Sequence, residues 1–320
     1  MKVSVETPCR LHLTLIDLNG GLGRIDGGVG LALERPRVVV EASSSRRLMV
    51  DAGERSGELK ALCGRLAEEY SLDGRFSIKV SEQIPPHSGL GSTTQLYLAT
   101  AKAIAELSGL KVGLPELAYQ TCRGGTSGVG VAAFERGGFI VDSGHSFGVG
   151  KDKKSFLPSS YCRSKAPPVA CRLNFPAWNV LLCIPKGRGL HGVDELNYFK
   201  SHFPAKEREA ERICRIILMK LVPAVAEEDI DGFDESIKLL NKARGFEFPQ
   251  KTREIVEEVN QMGGKGTSMT SFGPAVFTFA DSQETLKRLQ HRLKRRGVVV
   301  ATKAANHGVV VKKTKQGLKR

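Results

Sequence analysis

The chain has 320 residues, of which 41% are hydrophobic, enough for two domains with a buried core. Its 48 lysines and arginines outnumber 34 aspartates and glutamates, and the net charge of +14 suits either nucleic acid or small anionic substrates. The seven cysteines include no C-x-x-C pair, which argues against a disulfide framework and a zinc site. The chain has no signal-like start and no apolar run of about 18 residues, which argues against export and a membrane span. These features predict a cytoplasmic protein with reduced thiols.

The first half of the chain alternates between strand-like and helix-like patterns. Apolar residues recur at helical spacing from Ser92 to a stop at Gly109. A shorter helix with Pro115 in its first turn leads into a glycine-rich segment at 124–130. Strands are predicted at 3–5, 11–16, 37–42, 76–80 and 138–142, and helices at 57–70, 92–109 and 114–122.

A polar stretch without periodicity, residues 144–168, has the composition of a mobile loop that leads to a domain boundary. We therefore predict two domains, 1–170 and 171–320. The second half is mostly helical and closes with short valine-rich strands. Its predicted strands are 178–184, 274–280, 298–302 and 307–311, and its predicted helices are 206–221, 231–243, 252–262 and one ending near residue 296.

The segment IPPHSGLGSTTQ, residues 84–95, lies between a predicted strand and a predicted helix. One interpretation is mechanical, since prolines end the strand, glycines form the turn and Ser92 caps the helix. The other is chemical, because Gly89 and Gly91 let backbone N–H groups approach an anion at the positive end of a helix. Two further glycine loops are candidates for anion binding, namely residues 124–130 and the sequence PKGRGLHG at 185–192.

The order Pro-x-x-x-Gly-Leu-Gly-Ser-Thr-Thr resembles the phosphate-binding motif of the GHMP kinase superfamily, and GTSMTSFGPAVFTF at 266–279 resembles its C-terminal glycine motif. This resemblance implies an α+β fold of two GHMP-type domains. Two features depart from an ordinary kinase. The segment RGGTSGVGVAAFERGG has Gly130 and apolar residues where the superfamily commonly carries an aspartate that activates the phosphate acceptor, and the C-terminal motif lacks its run of glycines.

Five segments occur in a specific order: RLHLTLIDLNGGLGRIDGGVGLALE (10–34), IPPHSGLGSTTQ (84–95), RGGTSGVGVAAFERGGFIVDSGH (123–145), IPKGRGLHG (184–192) and GTSMTSFGPAVF (266–277). Together they resemble the family of β-ribofuranosylaminobenzene 5′-phosphate synthases of archaeal methanopterin biosynthesis. The resemblance covers nearly the whole chain. It implies that phosphoribosyl pyrophosphate is joined to 4-aminobenzoate, with release of pyrophosphate and carbon dioxide.

That chemistry needs two anion sites and a divalent cation, Mg²⁺ or another, to help pyrophosphate leave. No metal ligands are assigned from the sequence. Arg10, Arg24 and Arg123 are candidate ligands for the aminobenzoate carboxylate, because a guanidinium can bind a carboxylate bidentately. The predicted substrate- and phosphate-binding residues are Pro86, Ser88, Gly89, Leu90, Gly91, Ser92, Thr93, Thr94, Arg123, Gly125, Thr126, Ser127, Lys186, Arg188 and His191.

As pyrophosphate leaves, C1 of the ribose gains positive charge, which a nearby carboxylate can stabilise. In DLNGGLGRID, Asp17 and Asp26 flank Arg24, and these three are the predicted catalytic residues. The alternative is a simple turn, to which Asp-x-Asn-Gly is well suited. The matched segments also contain His12, His87, His145 and His191, each either a structural histidine or a group that moves protons or binds phosphate.

Three classes of function remain. The first is a decarboxylating phosphoribosyltransferase, the second an ATP-dependent small-molecule kinase of the same superfamily, and the third an RNA-binding module supported only by charge. Release of carbon dioxide, turnover of ATP, and tight RNA binding at physiological salt would distinguish them. The first class predicts small-molecule partners, neither nucleic acid nor membrane, and leaves a homodimer open.

Overall fold

Two β-sheets covered by helices form the fold in a computed structural model, which describes residues 1–126, 128–155, 157, 162–187, 189, 192–244 and 247–314. The strands are β1 (Lys2–Asp17), β2 (Arg24–Ser44), β3 (Met49–Asp51), β4 (Phe76–Glu82), β5 (Phe139–Asp142), β6 (His145–Ser146), β7 (Val169–Leu173), β8 (Asn179–Pro185), β9 (Lys265–Met269), β10 (Val276–Ala280), β11 (Gly297–Thr302) and β12 (Val310–Thr314). The helices are α1 (Ser56–Glu69), α2 (Ser92–Ser108), α3 (Leu114–Gln120), α4 (Gly128–Glu135), α5 (Val193–His202), α6 (Glu207–Ile216), α7 (Val222–Ala226), α8 (Ile230–Ala243), α9 (Gln250–Gln261) and α10 (Gln283–Leu293). A 3₁₀ turn at Gly53–Arg55 precedes α1, and a π-helical turn at Ile217–Leu221 joins α6 to α7.

The first sheet is built on a long antiparallel hairpin of β1 and β2. Its strand order is β12-β1-β2-β4-β3, β5 and β6 also pair with β2, and β7 pairs with β5. The sequence predicted three short strands where the structure has two long ones. Register shifts between Pro8 and Cys9 and between His12 and Thr14 explain the difference, because a bulge interrupts the alternation of polar and apolar residues that marks a strand.

The second sheet has the order β11-β8-β10-β9, and α8, α9 and α10 pack on it. Aromatic rings join the two sheets: Phe175 lies 6.4 Å from Phe139 of β5 and 5.5 Å from Phe279 of β10, measured between ring centroids. Phe233 of α8 lies 5.0 Å from Phe279 and completes this cluster. The two sheets therefore share a hydrophobic core.

The predicted boundary near residue 170 falls at the start of β7. The strand pairing does not separate the two halves of the chain, because β7 and β12 both belong to the first sheet. The C-terminal segment thus returns to β1, where Lys2 pairs with Thr314. The division into 1–170 and 171–320 stays a prediction about folding units.

Helix α4 was not predicted, because its sequence GVGVAAFE begins with glycines that usually disfavour a helix. The residues of α4 are nevertheless buried, and the helix packs on β2. Helix α5 and strand β9 were also missed. Helix α2 has the predicted extent, but Gly91 occupies its N-cap position and Ser92 is its first helical residue. In the described part of the chain, no helix is long and apolar enough to cross a membrane.

Candidate active site

The loop before α2 has the geometry of an anion site. Gly91, the N-cap residue, has φ +80°, and Gly89 has φ +81°, a conformation that glycine adopts without strain. No side chain in the described part of the chain caps this helix end, whose first turn, Ser92 to Gln95, contains no acid. The start of α2 therefore presents backbone N–H groups and the positive end of the helix dipole to an anion.

Arg10 of β1 lies under this loop. Its Nη1 donates a hydrogen bond of 2.6 Å to the Gly89 carbonyl, and its backbone N–H donates to the Leu90 carbonyl. Burial lowers the pKa of Arg10 to about 10, so the guanidinium is still protonated at neutral pH. Its Nε is buried without a partner among the described residues. The sequence predicted Arg10 only as a ligand for the aminobenzoate carboxylate. The structure places it at the loop before α2, which resembles a phosphate-binding loop.

The C-terminal glycine motif, residues 266–279, packs directly against the loop before α2. Thr270 donates a hydrogen bond of 2.9 Å from its Oγ1 to the Gly89 carbonyl, and the Ala275 N–H donates to the Ser88 carbonyl. A Cβ added at Gly89 would lie only 2.4 Å from the Thr270 carbonyl oxygen. The lack of a side chain at Gly89 is therefore needed for this loop–loop contact, which favours a packing role for this glycine.

The third glycine loop, PKGRGLHG, is only partly described. The Gly189 N–H donates a hydrogen bond of 3.0 Å to the His87 carbonyl, so this loop adjoins the first. Lys186 is exposed, as are Pro86 and His87. The predicted ligands Arg188 and His191 lie outside the described residues. The structure thus brings three predicted glycine segments together around the start of α2.

Two further arginines flank α2. Arg55 donates from Nη2 to the Thr93 hydroxyl at 3.2 Å, and Arg123 is buried with its guanidinium 5.7 Å from the centre of the Tyr97 ring. The Nε of Arg123 donates to the Cys122 carbonyl, while its terminal nitrogens donate to none of the described residues. Burial lowers the pKa of Arg123. Arg55 was missed because nothing in the sequence links a residue before α1 to the distant loop.

Gly125 and Thr126 belong to a tightly packed turn rather than an open loop. A Cβ on Gly125 would lie 2.6 Å from the Cys162 carbonyl oxygen, and the Thr126 hydroxyl donates to the Leu157 carbonyl at 2.6 Å. Ser127 lies outside the described residues. These contacts favour a structural role for Gly125 and Thr126, whose predicted part in binding stays untested.

Replacing Gly91 by valine tests the anion site. A Cβ there would lie 3.1 Å from Cγ of Arg10, and the positive φ is strained for any residue with a side chain. We expect the KM for the phosphorylated substrate to rise about tenfold or more, roughly 1.4 kcal/mol of lost binding, with less change for the aromatic substrate. Gly109→Val is the matched control, because Gly109 has φ +68° at the other end of α2 and nothing within 4 Å of its Cβ position. Equal losses for both substrates in both variants would support the mechanical interpretation.

The predicted catalytic residues lie at the end of the β1–β2 hairpin, where Asp17 pairs with Asp26. One Asp17 oxygen, Oδ1, accepts hydrogen bonds from the backbone N–H groups of Asn19 (2.7 Å) and Gly20 (3.0 Å), as in an ordinary Asx turn. Its other oxygen accepts none from the described residues. At about 3.3 Å per residue of strand, Asp17 lies roughly 20 Å along β1 from Arg10. One phosphate group therefore cannot contact both.

Arg24 holds a turn in place. Its Nε donates a hydrogen bond of 2.8 Å to the Ser143 carbonyl, and its Nη2 donates to the Gly144 carbonyl. The side chain lies at the surface. These contacts fix the residues that follow β5 and favour a positioning role for Arg24.

Asp26 forms the centre of a buried polar cluster. Its Oδ2 is 2.6 Å from His145 Nδ1 and 2.7 Å from Lys153 Nζ, and all three side chains are at most 3% exposed. His145 Nε2 lies 3.0 Å from the Gly124 carbonyl, and Lys153 also donates to the Thr126 hydroxyl at 3.2 Å. The prediction of a mobile loop is therefore wrong for residues 144–155, because this cluster anchors them to β2. The rest of that stretch is only partly described.

Asp142, the last residue of β5, is buried beside the cluster. Its Oδ1 accepts a hydrogen bond of 2.9 Å from the Gly144 N–H. Burial raises its pKa to about 7, partly offset by hydrogen bonds from backbone N–H groups and by the charge of His145, while the charge of Asp26 raises it further. A perturbed carboxyl group of this kind is a marker of a functional site.

The described side chains do not form a complete binding site for a divalent cation. Within the described ranges, no three His, Cys, Asp or Glu side chains converge as metal ligands. The residues still fit Mg²⁺, which usually keeps its waters and binds one or two carboxylates together with substrate phosphates. Asp17, with one unoccupied carboxylate oxygen, is the side chain that suits this arrangement.

Comparison with known proteins agrees with this geometry. The family description "GHMP kinases N terminal domain" matches residues 58–138, and "GHMP kinases C terminal" matches residues 221–299. Among solved structures, homoserine kinase from Cytophaga hutchinsonii aligns with a TM-score of 0.69 at 19% identity over 97% of both chains. Phosphomevalonate kinase from Streptococcus pneumoniae aligns with a TM-score of 0.69 at 14% identity, covering 95% of this chain and 100% of that one. These likenesses establish the GHMP kinase fold.

Curated relatives are much more similar in sequence. Beta-ribofuranosylphenol 5′-phosphate synthase from Methanothermobacter thermautotrophicus is 42% identical, with 88% of this chain and 90% of the relative covered. The protein of that name from Archaeoglobus fulgidus is 39% identical, with 96% of this chain and 98% of the relative covered. The chain therefore belongs to the family of beta-ribofuranosylphenol 5′-phosphate synthases, built on the two-domain α+β fold of the GHMP kinases.

Proposed function

We propose that this protein is a decarboxylating phosphoribosyltransferase of methanopterin biosynthesis, a glycosyltransferase of the pentosyltransferase class. It joins phosphoribosyl pyrophosphate to 4-aminobenzoate and releases pyrophosphate and carbon dioxide. The observation that carries the proposal is the 36 to 42% identity, over 88 to 96% of the chain, to three proteins named for a ribofuranosyl 5′-phosphate product. The uncapped helix end beside Arg10 supports it, because the substrate carries two phosphate-type groups.

The reaction sets a clear demand on the aromatic partner. The ring carbon that bears the carboxylate attacks C1, so an electron-donating group opposite that carbon must supply charge to the ring. An amino group does so in 4-aminobenzoate, and a hydroxyl does so in 4-hydroxybenzoate. The name of the curated relatives contains a phenol, which carries that hydroxyl. The two acids are therefore compared directly in the test below.

The β1–β2 hairpin and the loop before α2 contain the groups assigned to binding phosphate and to stabilising charge in the reaction. Arg10 and the start of α2 bind phosphate oxygens, with Arg55 and Arg123 beside them. Asp17 presents a carboxylate to positive charge on the sugar, or would hold a divalent cation if one binds with the substrate. When bound, Mg²⁺ or another divalent cation would neutralise the developing charge on pyrophosphate. Arg24 and Asp26 hold the segment that contains Asp142.

A labelled-substrate assay tests the proposal. Protein incubated with phosphoribosyl pyrophosphate, Mg²⁺ and carboxyl-labelled 4-aminobenzoate is expected to release labelled carbon dioxide and pyrophosphate in equal amounts. A parallel incubation with carboxyl-labelled 4-hydroxybenzoate ranks the two acids by kcat/KM. The kinase alternative is favoured by the fold and the glycine loop, and turnover of ATP with a small alcohol but no carbon dioxide would establish it instead.

The basic surplus is assigned to small phosphorylated substrates rather than nucleic acid. Some of the basic side chains form ion pairs within the protein, since Arg292 of α10 and Arg296, which follows α10, both pair with Glu258 of α9. We expect weak RNA binding at physiological salt, without sequence preference and with a steep salt dependence. Tight and selective binding at that salt would overturn this assignment. The free cysteines among the described residues support a cytoplasmic location, and a homodimer stays open.

A further inference from the structure

The carboxyl group of Asp142 is buried and packs closely against two glycines. A Cβ on Gly128, the first residue of α4, would lie 2.5 Å from Asp142 Oδ2, and a Cβ on Gly28 of β2 would lie 3.0 Å from the same atom. Any other residue at either position would press on the carboxyl group. Strand β2 and helix α4 therefore each place a glycine against the same carboxyl oxygen of Asp142.

The imidazole of His12 approaches the same place. Its Nε2 would also lie 3.0 Å from a Cβ on Gly28, so His12 and Asp142 face each other across that glycine. Burial, together with the positive charges of Arg10 and Arg244, lowers the pKa of His12 to about 3. His12 is thus a neutral imidazole at working pH and provides no cation for Asp142.

The other charged groups around Asp142 do not neutralise it either. Lys153 and His145 of β6 both contact Asp26 of β2. Arg24 donates its hydrogen bonds to the backbone carbonyls of the turn that follows Asp142. The carboxyl group receives backbone N–H groups from Gly144 and, at the start of α4, from Val129. It is therefore a buried acid without a salt-bridge partner among the described residues.

Strand β1 connects the surroundings of Asp142 to the anion site through His12 and Arg10. Arg10 and His12 are two residues apart in β1, so their side chains point to the same side of the sheet. Arg10 contacts the Gly89 carbonyl of the phosphate-type loop, and His12 reaches the Gly28 position beside Asp142. A substrate with its phosphate groups at the loop would direct its sugar along this line.

We propose that Asp142 is the general acid that protonates the departing pyrophosphate, with neutral His12 beside it at the reacting carbon. The proposal rests on the phosphoribosyl transfer proposed above. The C1–O bond breaks and its electron pair stays on the pyrophosphate oxygen, which takes the proton of Asp142. The ring carbon forms the new bond to C1, and loss of carbon dioxide returns an electron pair to the ring. Asp142 regains its proton from water.

This role predicts opposite effects on activity and stability. The folded-state pKa of Asp142 is raised, so its contribution to stability is present at low pH and is lost as the pH rises through about 7. Asp142→Asn removes that loss and is expected to raise the Tm more at pH 8 than at pH 5. The same change is expected to lower kcat on the order of a hundredfold, with little change in KM for phosphoribosyl pyrophosphate.

Asp234→Asn is the matched control. Asp234 is a buried aspartate of α8 that pairs with Lys238 and accepts the N–H of Gly266 in β9. This variant is expected to lose stability and keep its kcat. The kcat of the unmodified protein, measured against pH, is expected to fall above about pH 7, and this readout needs no variant.

Two results would overturn the proposal. One is an Asp142→Asn variant that folds and keeps the kcat and pH profile of the unmodified protein. The other, if that variant does not fold, is an unmodified protein whose kcat does not fall above pH 7. Failure of the proposed function is distinguishable, because the unmodified protein would then release no carbon dioxide at any pH.

Discussion

Lys153→Met is expected to lower the free energy of unfolding by about 3–5 kcal/mol, the usual cost of removing one partner from a buried ion pair. The substitution keeps much of the side-chain length but leaves the Asp26 carboxylate without its cation, in a place where Asp26 and Lys153 are at most 3% exposed. The contact of His145 with Asp26 at 2.6 Å would remain in this variant. Urea unfolding at pH 7, followed by circular dichroism, measures the change.

Lys151→Met is the control for this variant, because Lys151 is exposed two residues earlier in the same segment. It is expected to change stability by less than about 0.5 kcal/mol. The double variant Asp26→Asn with Lys153→Met is expected to recover part of the loss, since no buried charge remains unpaired. Equal stability of Lys153→Met and Lys151→Met would show that the cluster does not anchor this segment.

Asp17→Asn is expected to lower kcat on the order of a hundredfold, about 2.7 kcal/mol, by removing one carboxylate that stabilises charge in the transition state. The structure makes this a clean substitution. Asparagine has the same shape, and its side-chain oxygen can still accept the N–H groups of Asn19 and Gly20 that hold the turn. The Tm is therefore expected to stay unchanged, while Asp17→Ala is expected to lose both activity and stability.

Steady-state kinetics at several Mg²⁺ concentrations separate two roles for Asp17. A lower kcat with unchanged KM places the carboxylate at the developing positive charge. A higher KM for phosphoribosyl pyrophosphate that extra Mg²⁺ partly rescues places it on the metal ion instead. A folded Asp17→Asn variant with unchanged kinetics would restrict Asp17 to its turn and leave Asp142 as the acid at the reacting carbon.

The phosphate-type loop could be predicted from the sequence because its chemistry is local. Prolines, Gly89, Gly91 and the hydroxyl residues stand next to one another, and the conformation of each glycine follows from the turn that precedes α2. The GHMP fold was predicted for the same reason, since ordered local motifs carry the resemblance. Loop packing could not be predicted: Gly89 is required by the Thr270 carbonyl, which lies in a distant part of the sequence.

The polar cluster around Asp26 has no local signal. Asp26 lies 119 residues before His145 and 127 residues before Lys153, and only the pairing of β5 and β6 with β2 brings them together. Sequence patterns report periodicity within an element, not the partners that a sheet places beside it. Gly28 and Gly128 illustrate the same limit, because each resembles a turn glycine and instead gives room to the carboxyl group of Asp142.

A ¹³C NMR spectrum of the product shows which atom is bonded to C1 of the ribose. Phosphoribosyl pyrophosphate labelled with ¹³C at ribose C1 is incubated with 4-aminobenzoate or 4-hydroxybenzoate labelled with ¹³C at the ring carbon that bears the carboxylate. We predict a product whose two labelled carbons show one-bond ¹³C–¹³C coupling, with loss of the carboxylate. A product in which C1 is attached to nitrogen or oxygen, with the carboxylate retained and no such coupling, would contradict the account.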